Sequence, residues 1–407
     1  MATDSLPSAF TLFESIQPGP VYRIPSLLYL NSHQVFLAFA EKRTSSSDVD
    51  AKILVLRRGK FQDGSVEWDE TVELSTAVKS GYRSMNPCPV YERLKQVVYL
   101  FFNCVEDGVN ECSQVLWGRN AARLCYVTSQ DAGLTWGQVT DLTESVIGEQ
   151  VQHWGTFSVS PGHGIQRACG TLIVPAYAYI IRYRCCLIPP GFFTKPRTFY
   201  LYSEDGGERW SVGEPLSRCG TGESEMAEIA VSYGNRVLYC NARAVAGPLS
   251  CRRPSRVEAV SLEPGRFEIV HPARQLPESD SGCQGSVLSF SCPASDQFSW
   301  LLYTHPVGSG KDRWWRHCRN RTNLAVYLNR RPLEQRHWEG PWVVQSGPSG
   351  YSDLAYLDQA STFACLHECG DRQPNERIDF RLFSIDDVLR NIEQRGRGVA
   401  TSLKHRQ

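Results

Sequence analysis

No run of about 18 consecutive apolar residues occurs in this 407-residue chain, so no membrane-spanning helix is expected. The N-terminus, MATDSLPSAFTLFESIQPGPVYRIP, lacks a basic segment followed by an apolar one, which predicts no secretory signal. Neither sign of charge prevails. Lys+Arg and Asp+Glu number 43 each, which argues against a nucleic-acid partner held by a global basic field. Glycine-rich loops of the P-loop or dinucleotide type are missing. The 15 cysteines are odd in number and mostly scattered singly through apolar runs such as FFNCV and LYCNA. Without a secretory signal they read as reduced, buried thiols in a reducing compartment. Cys365-x-His367-x-Cys369 alternates onto one face of a strand, but no second ligand pair at zinc-site spacing follows it. Neither a metal nor a cofactor is expected.

What is present is strand after strand. Runs rich in Val, Ile, Leu, Tyr and Phe recur at 34–43, 52–59, 96–105, 170–180, 197–207, 235–243, 298–306, 323–329, 361–370 and 377–385. Gly, Asp, Ser and Pro punctuate them. Helical periodicity is nearly absent until 386–394, which predicts a closing helix leading into a frayed basic tail. The chain is all-β, and this density of strands suggests a propeller or a solenoid before a sandwich. An internal repeat agrees with that. Ser129-x-Asp131-x-Gly133-x-x-Trp136 and Ser203-x-Asp205-x-Gly207-x-x-Trp210 share one pattern 74 residues apart, and a looser copy starts at Ser261 with Glu263 at the acidic position. The pattern reads as a hairpin turn. Ser and Asp bond turn amides, Gly takes a positive φ, and Trp anchors the turn.

The repeat resembles the Asp box of the sialidase family, and other motifs accompany it. Tyr22-Arg23-Ile24-Pro25, Phe39-Ala-Glu41-Lys-Arg43 with Asp48, MNPCPV (85–90), VPAYAY (174–179), NAR (241–243), GCQGS (282–286), LLYTHP (301–306) and GYSDL (350–354) resemble animal sialidases in order and spacing. The resemblance covers about 20–385 and is greatest to the membrane-associated, ganglioside-cleaving type, notably at GRNAARLC (118–125). It implies a single six-bladed β-propeller domain over 1–407 and an exo-α-sialidase, a retaining glycoside hydrolase with a tyrosine nucleophile. A propeller that binds sialic acid or serves as a scaffold without catalysis is the competing reading.

The chemistry agrees with those residue types. Sialic acid carries a carboxylate on its anomeric carbon, and guanidinium suits a carboxylate through its planar two-donor fork. The resemblance puts that triad at Arg23, Arg243 and Arg321, with Arg316 and Arg319 as rivals for the last. A carboxylate nucleophile would meet like-charge repulsion at that carbon, whereas a phenol is neutral until it reacts; sialidases are the recognised tyrosine exception among glycosidases. By resemblance the nucleophile is Tyr351. A phenol near pKa 10 needs an adjacent base, implied at Glu223, with Glu225 and Glu228 as rivals. Asp48, on the loop TSSSDVDA, is the implied acid/base, with Asp50 as its rival. Arg43, Ile24, Asn86, Glu111, Tyr177, Tyr179 and Gln284 are implied substrate contacts.

Residues 182–197 form an apolar loop around Pro189-Pro190-Gly191, flanked by Arg182, Arg184, Lys195 and Arg197. Such a loop suits an anionic lipid surface, and Cys185 and Cys186 are candidates for acylation. A lid packed on its own propeller is the alternative. KDRWWRHCRNR (311–321) is a second cationic, aromatic patch. The expected partners are a sialylated glycolipid and, peripherally, the plasma membrane; a cytoplasmic location is the alternative.

Overall fold

A computed structural model describes residues 8–404 apart from 17, 186, 218–219, 233, 246–254, 263–265, 280–281, 293–294 and 309–320. Arg316, Arg319, Cys186 and Glu263 lie outside the described residues. Strands dominate, with bounds within a few residues of those expected: Val35–Arg43, Val97–Glu106, Leu172–Ile181 and Asn235–Ala244 are examples. Val97–Glu106 explains why its sequence is apolar throughout rather than alternating. Val97, Tyr99 and Phe101 enter one core, while Val98, Leu100 and Phe102 enter the next. A strand covered on both faces has no solvent face to make polar.

The described strand pairs are antiparallel, most of them between neighbours in the chain, from Val21–Leu30 with Val35–Arg43 to Thr362–Cys369 with Arg377–Ser384. The sheets close into a ring. Tyr82–Glu92 lies between Val21–Leu30 and Trp154–Val159, Thr221–Ser232 lies between Leu172–Ile181 and Ser286–Cys292, and Trp338–Leu357 returns to Val21–Leu30. The N-terminal strand Ala9–Glu14 completes the last sheet by pairing with Arg377–Ser384, which ties the two ends of the ring together. This is a β-propeller in the broad sense.

One expectation needs correcting. Hydrogen bonding joins the described strands into five continuous sheets and not six separate ones. The reason is the 20-residue strand Trp338–Leu357, which pairs with Thr322–Asn329 through its first part and with Thr362–Cys369 through its second, fusing seven strands.

Two short helices, Glu111–Trp117 and Thr143–Val151, were not expected, because seven and nine residues are too few to declare a 3.6-residue period. Asn110 caps the first by accepting from the Ser113 amide at 2.7 Å. The closing helix runs further than expected, Ile385–Lys404. Ser384 and Asp387 start it as a reciprocal capping pair: the Asp387 amide donates to Ser384 Oγ and the Ser384 amide to Asp387 Oδ2.

Both Asp boxes are turns. The Gly133 amide donates to Ser129 Oγ at 2.8 Å, the Thr135 amide donates to Asp131 Oδ1 at 2.9 Å, and Gly133 has φ +83°. Ser203, Asp205 and Gly207 repeat the arrangement. Trp210 packs edge-on against Phe101 with centroids 4.6 Å apart, and Trp136 against Phe39 at 5.8 Å.

Candidate active site

The strands nearest the axis are interrupted where they reach one mouth of the ring. Register shifts fall at Arg23/Ser26, Met85/Cys88, Trp154/Phe157, Thr221/Ser224 and Ser349/Ser352. A bulge re-aims a side chain that regular alternation would bury in a sheet face. Ile24 and Asn86, each followed by proline, adopt φ of +59° and +57° at these bulges. A β-branched residue in that region is strained, and the surrounding contacts hold it there. The Ile24 amide donates to Glu368 Oε1 at 2.9 Å, and the Asn86 amide to Glu41 Oε1 at 2.7 Å. Gly350 is required by the same device, because a Cβ there would lie 2.1 Å from the Glu368 carboxylate.

These bulges line a cleft of about 310 Å³. Arg23, Ile24, Arg43, Asp48, Asn86, Glu111, Tyr177, Tyr179, Glu223, Arg243, Arg321 and Tyr351 all face it, from segments up to 328 positions apart (351 − 23). At its centre the Tyr351 hydroxyl donates to Glu223 Oε1 in a very short bond. Arg243 Nη1 donates to Glu223 Oε2 at 2.6 Å and lies 3.2 Å from the Tyr351 oxygen. The guanidinium carbons of Arg23 and Arg321 stand 5.7 and 5.3 Å from the Tyr351 ring centroid. Burial, then the Glu223 carboxylate, push the Tyr351 phenol well above its ordinary pKa, while Arg243 and Arg321 pull the other way. The resting phenol is therefore protonated.

Each guanidinium is oriented by a fixed partner. Arg23 Nε donates to Glu368 Oε1 at 3.0 Å, and Arg321 donates twice to the Gly282 carbonyl, at 2.9 and 3.1 Å. Arg43, fully buried, donates to both Glu41 and Asp48. Burial raises the Asp48 carboxyl, but Arg43, with Arg23 and Arg83, outweighs it and leaves the group below its ordinary pKa. Tyr179 and Tyr177 both donate to Glu111, at 3.2 and 3.5 Å. Burial, then Glu223, hold the Glu111 carboxyl above its ordinary value.

The acidic rivals separate cleanly. Glu225 lies below the floor, buried among Gln284, Ser286 and the Val287 amide. Glu228 pairs with Arg167 near the other end of the strand. Asp50 turns inward to accept from Ser45 Oγ. Gln284 is the exception among the implied contacts. Its amide donates to Glu225 and the Ser352 carbonyl and accepts from the Ser352 amide, so it holds the strand behind Tyr351 and does not face the cleft. With its amide satisfied on both sides, nothing is left to reach a ligand.

Sequence reasoning missed Arg83, Asn103, Gln114, Thr156 and Ser158, which also line the cleft. It also passed over Glu41 and Glu368 as anchors. An acidic residue inside an apolar strand was the available signal, since such a group is buried only with cations or amides around it.

His367 and Cys369 do converge, with Asp379 of the neighbouring strand, to within 4.8 Å. Thr11 and Arg377 already donate to Asp379. Burial and then Arg381 push His367 down to about 4, so the cluster faces two guanidinium charges, an environment that opposes a further cation. Cys365 and Cys369 are free thiols, as is Cys185 on the 182–197 loop.

Beside the cleft lies an apolar surface. Helix Glu111–Trp117 begins at cleft-lining Glu111 and packs closely on 190–191: a Cβ on Gly191 would lie 2.7 Å from the Leu116 Cα. Trp117, Tyr183, Leu187 and Phe192 are 63–87% exposed across this surface. Phe193 is half-buried, edge-on to Tyr183.

A family model described as "BNR repeat-like domain" matches residues 34–363. The chain is 45% identical to Sialidase-3 of Mus musculus, over 93% of this chain and 95% of that one, and 42% identical to Sialidase-3 of Homo sapiens, over 92% of each. Sialidase-4 of Homo sapiens is 36% identical over 96% of each chain. Among solved structures, the Trypanosoma rangeli sialidase superposes with a TM-score of 0.67 at 18% identity, covering 100% of this chain and 62% of that one. The intramolecular trans-sialidase from Ruminococcus gnavus superposes with the same score at 16% identity, over 94% and 98%. With the matches spanning nearly its whole length, the chain belongs to the animal sialidase family of glycoside hydrolases.

Proposed function

We propose that the enzyme removes terminal sialic acid by double displacement with retention of anomeric configuration. The observation that carries this is the phenol–carboxylate pair Tyr351–Glu223 beside three guanidinium groups. Arg23, Arg243 and Arg321 hold the sugar carboxylate. Tyr351 Oη attacks the anomeric carbon as its proton passes to Glu223, and Asp48 protonates the departing glycosidic oxygen. An anionic substrate offsets the arginine charge that depresses Asp48, which raises the carboxyl toward the protonated form that the step needs. Water, deprotonated by Asp48, then releases the sugar, and Glu223 returns the proton to Tyr351. A binding propeller without catalysis needs the arginines but not the phenol–carboxylate pair.

Incubation with 2,3-difluorosialic acid tests the mechanism. The wild type is expected to gain the mass of one fluorosialosyl group on Tyr351. Tyr351→Phe is expected to gain none and to lose turnover by about 10³-fold or more, as loss of a nucleophile does. A well-folded Tyr351→Phe with near-normal turnover, or an inverted first-formed product by proton NMR, overturns it.

Two finer readings go with this. The ring counts as six blades if the fused sheet is divided where Trp338–Leu357 changes partners between Pro348 and Ser349, which is supported by the register on either side. The preferred substrates are gangliosides, taken by an enzyme peripherally bound at the plasma membrane. The support is the exposed apolar surface around Trp117 and Phe192 at the cleft rim, with Arg182, Arg184 and Lys195 exposed beside it.

A further inference from the structure

Arg83 holds no part of the substrate in the scheme above, yet it is a buried cation in the wall of the cleft. It stands at the start of strand Tyr82–Glu92, opposite Val105 of the next strand. Its guanidinium donates to three backbone carbonyls: Asp48 at 3.1 Å, Glu106 at 2.6 Å and Val109 at 2.6 Å. Those carbonyls belong to two separate loops. One carries Asp48; the other leads through Asn110 into the helix that begins at Glu111.

The Asp48 loop is braced mainly within its own hairpin. The Thr44 amide donates to the Asp50 carbonyl, the Asp50 amide to the Ser47 carbonyl, and Ser45 Oγ to Asp50 Oδ2. Arg43 binds the Asp48 carboxylate and the Ser46 carbonyl from the end of the strand before the loop. Arg83 reaches it from the next sheet. Three donors of one rigid planar group fix the distance between the loops as well as the position of each. Lysine, a point charge on a flexible stem, cannot reproduce that fork.

We propose that Arg83 is a positioning residue that locks the Asp48 loop to the Glu106–Val109 loop, so that the Asp48 carboxyl sits within proton-transfer reach of the leaving oxygen. This rests on the acid/base reading of Asp48. Because the role proposed for Arg83 runs through Asp48, its loss should matter in proportion to how much the leaving group needs a proton. A sugar alkoxide needs one, whereas a nitrophenolate departs nearly unaided.

The test measures kcat/KM on two substrates, a sialyl-galactoside and a 4-nitrophenyl sialoside, for wild type, Arg83→Met, Arg83→Lys and Asp48→Ala. Asp48→Ala is expected to lose about 10²-fold or more on the galactoside and much less on the aryl substrate. Arg83→Met is expected to lose about tenfold or more on the galactoside and under about threefold on the aryl substrate, with Arg83→Lys between it and wild type. Thermal unfolding reports whether each variant is folded. Equal losses on both substrates, or none, overturn the positioning role while Asp48→Ala keeps its leaving-group dependence. If Asp48→Ala itself affects both substrates equally, the acid/base reading falls, and the role of Arg83 falls with it.

Discussion

Glu41, Glu278 and Glu368 are carboxylates buried inside a protein of zero net charge, and each anchors part of the cleft. Glu278 accepts from Arg256, from the amides of Ala244 and Cys283, and from His305 Nε2 at 3.1 Å. It thereby ties the strand that carries Arg243 to the segment whose Gly282 carbonyl orients Arg321. Burial alone would raise its carboxyl, but Arg256 and then His305 bring it down to about 2. An unfolded glutamate titrates near 4.3, so this depressed group contributes stability above that pH and loses it as pH falls toward about 2. Glu278→Gln is therefore expected to destabilise the fold by about 3–5 kcal/mol at pH 7, as removal of one partner of a buried pair does. The gap to wild type should narrow in urea titrations below about pH 4. A gap that stays constant to pH 3 would remove the ion pair as its cause.

At the scale of elements, bulges make the site and Asp boxes keep the hairpins. The two functions are separable, since no residue of either box lines the cleft. The Asp131 carboxylate accepts from Ser129 Oγ, the Thr135 amide and Thr135 Oγ1. These are partly exposed bonds, so Asp131→Ala is expected to cost about 1–2 kcal/mol. Melting temperature should fall while KM stays unchanged. Unchanged melting with impaired KM would make the box a ligand site.

Across the whole molecule, the ring brings Asp48, Glu223 and Tyr351 to one mouth, and the surface formed by the helix from Glu111 and the loop around Phe192 stands beside that mouth. Each cation near an anionic leaflet contributes about 1 kcal/mol, and the exposed aromatics add apolar burial. The double variant Trp117→Ser, Phe192→Ser is expected to co-sediment less with anionic liposomes than wild type and to lose activity on membrane-borne gangliosides but not on a soluble sialoside. Equal sedimentation, or none by either protein, would leave this surface as an ordinary lid.

Strand positions, the all-β class and the Asp-box turns were legible in the sequence, because apolar patterning and turn chemistry are local properties. Arg23, Asp48, Glu223, Arg243, Arg321 and Tyr351 were legible only as a family resemblance, since nothing local distinguishes a cleft arginine from a surface one. Tertiary structure decided among neighbours: Glu223 reaches the cleft and Glu225 does not, because a bulge at Thr221/Ser224 interrupts the alternation that would treat them alike. It moved Gln284 from the cleft to the strand behind Tyr351, and it brought in Arg83, whose three carbonyl partners carry no sequence signature at all. Backbone acceptors are common to every residue, so only the closed ring determines which of them a buried guanidinium will meet.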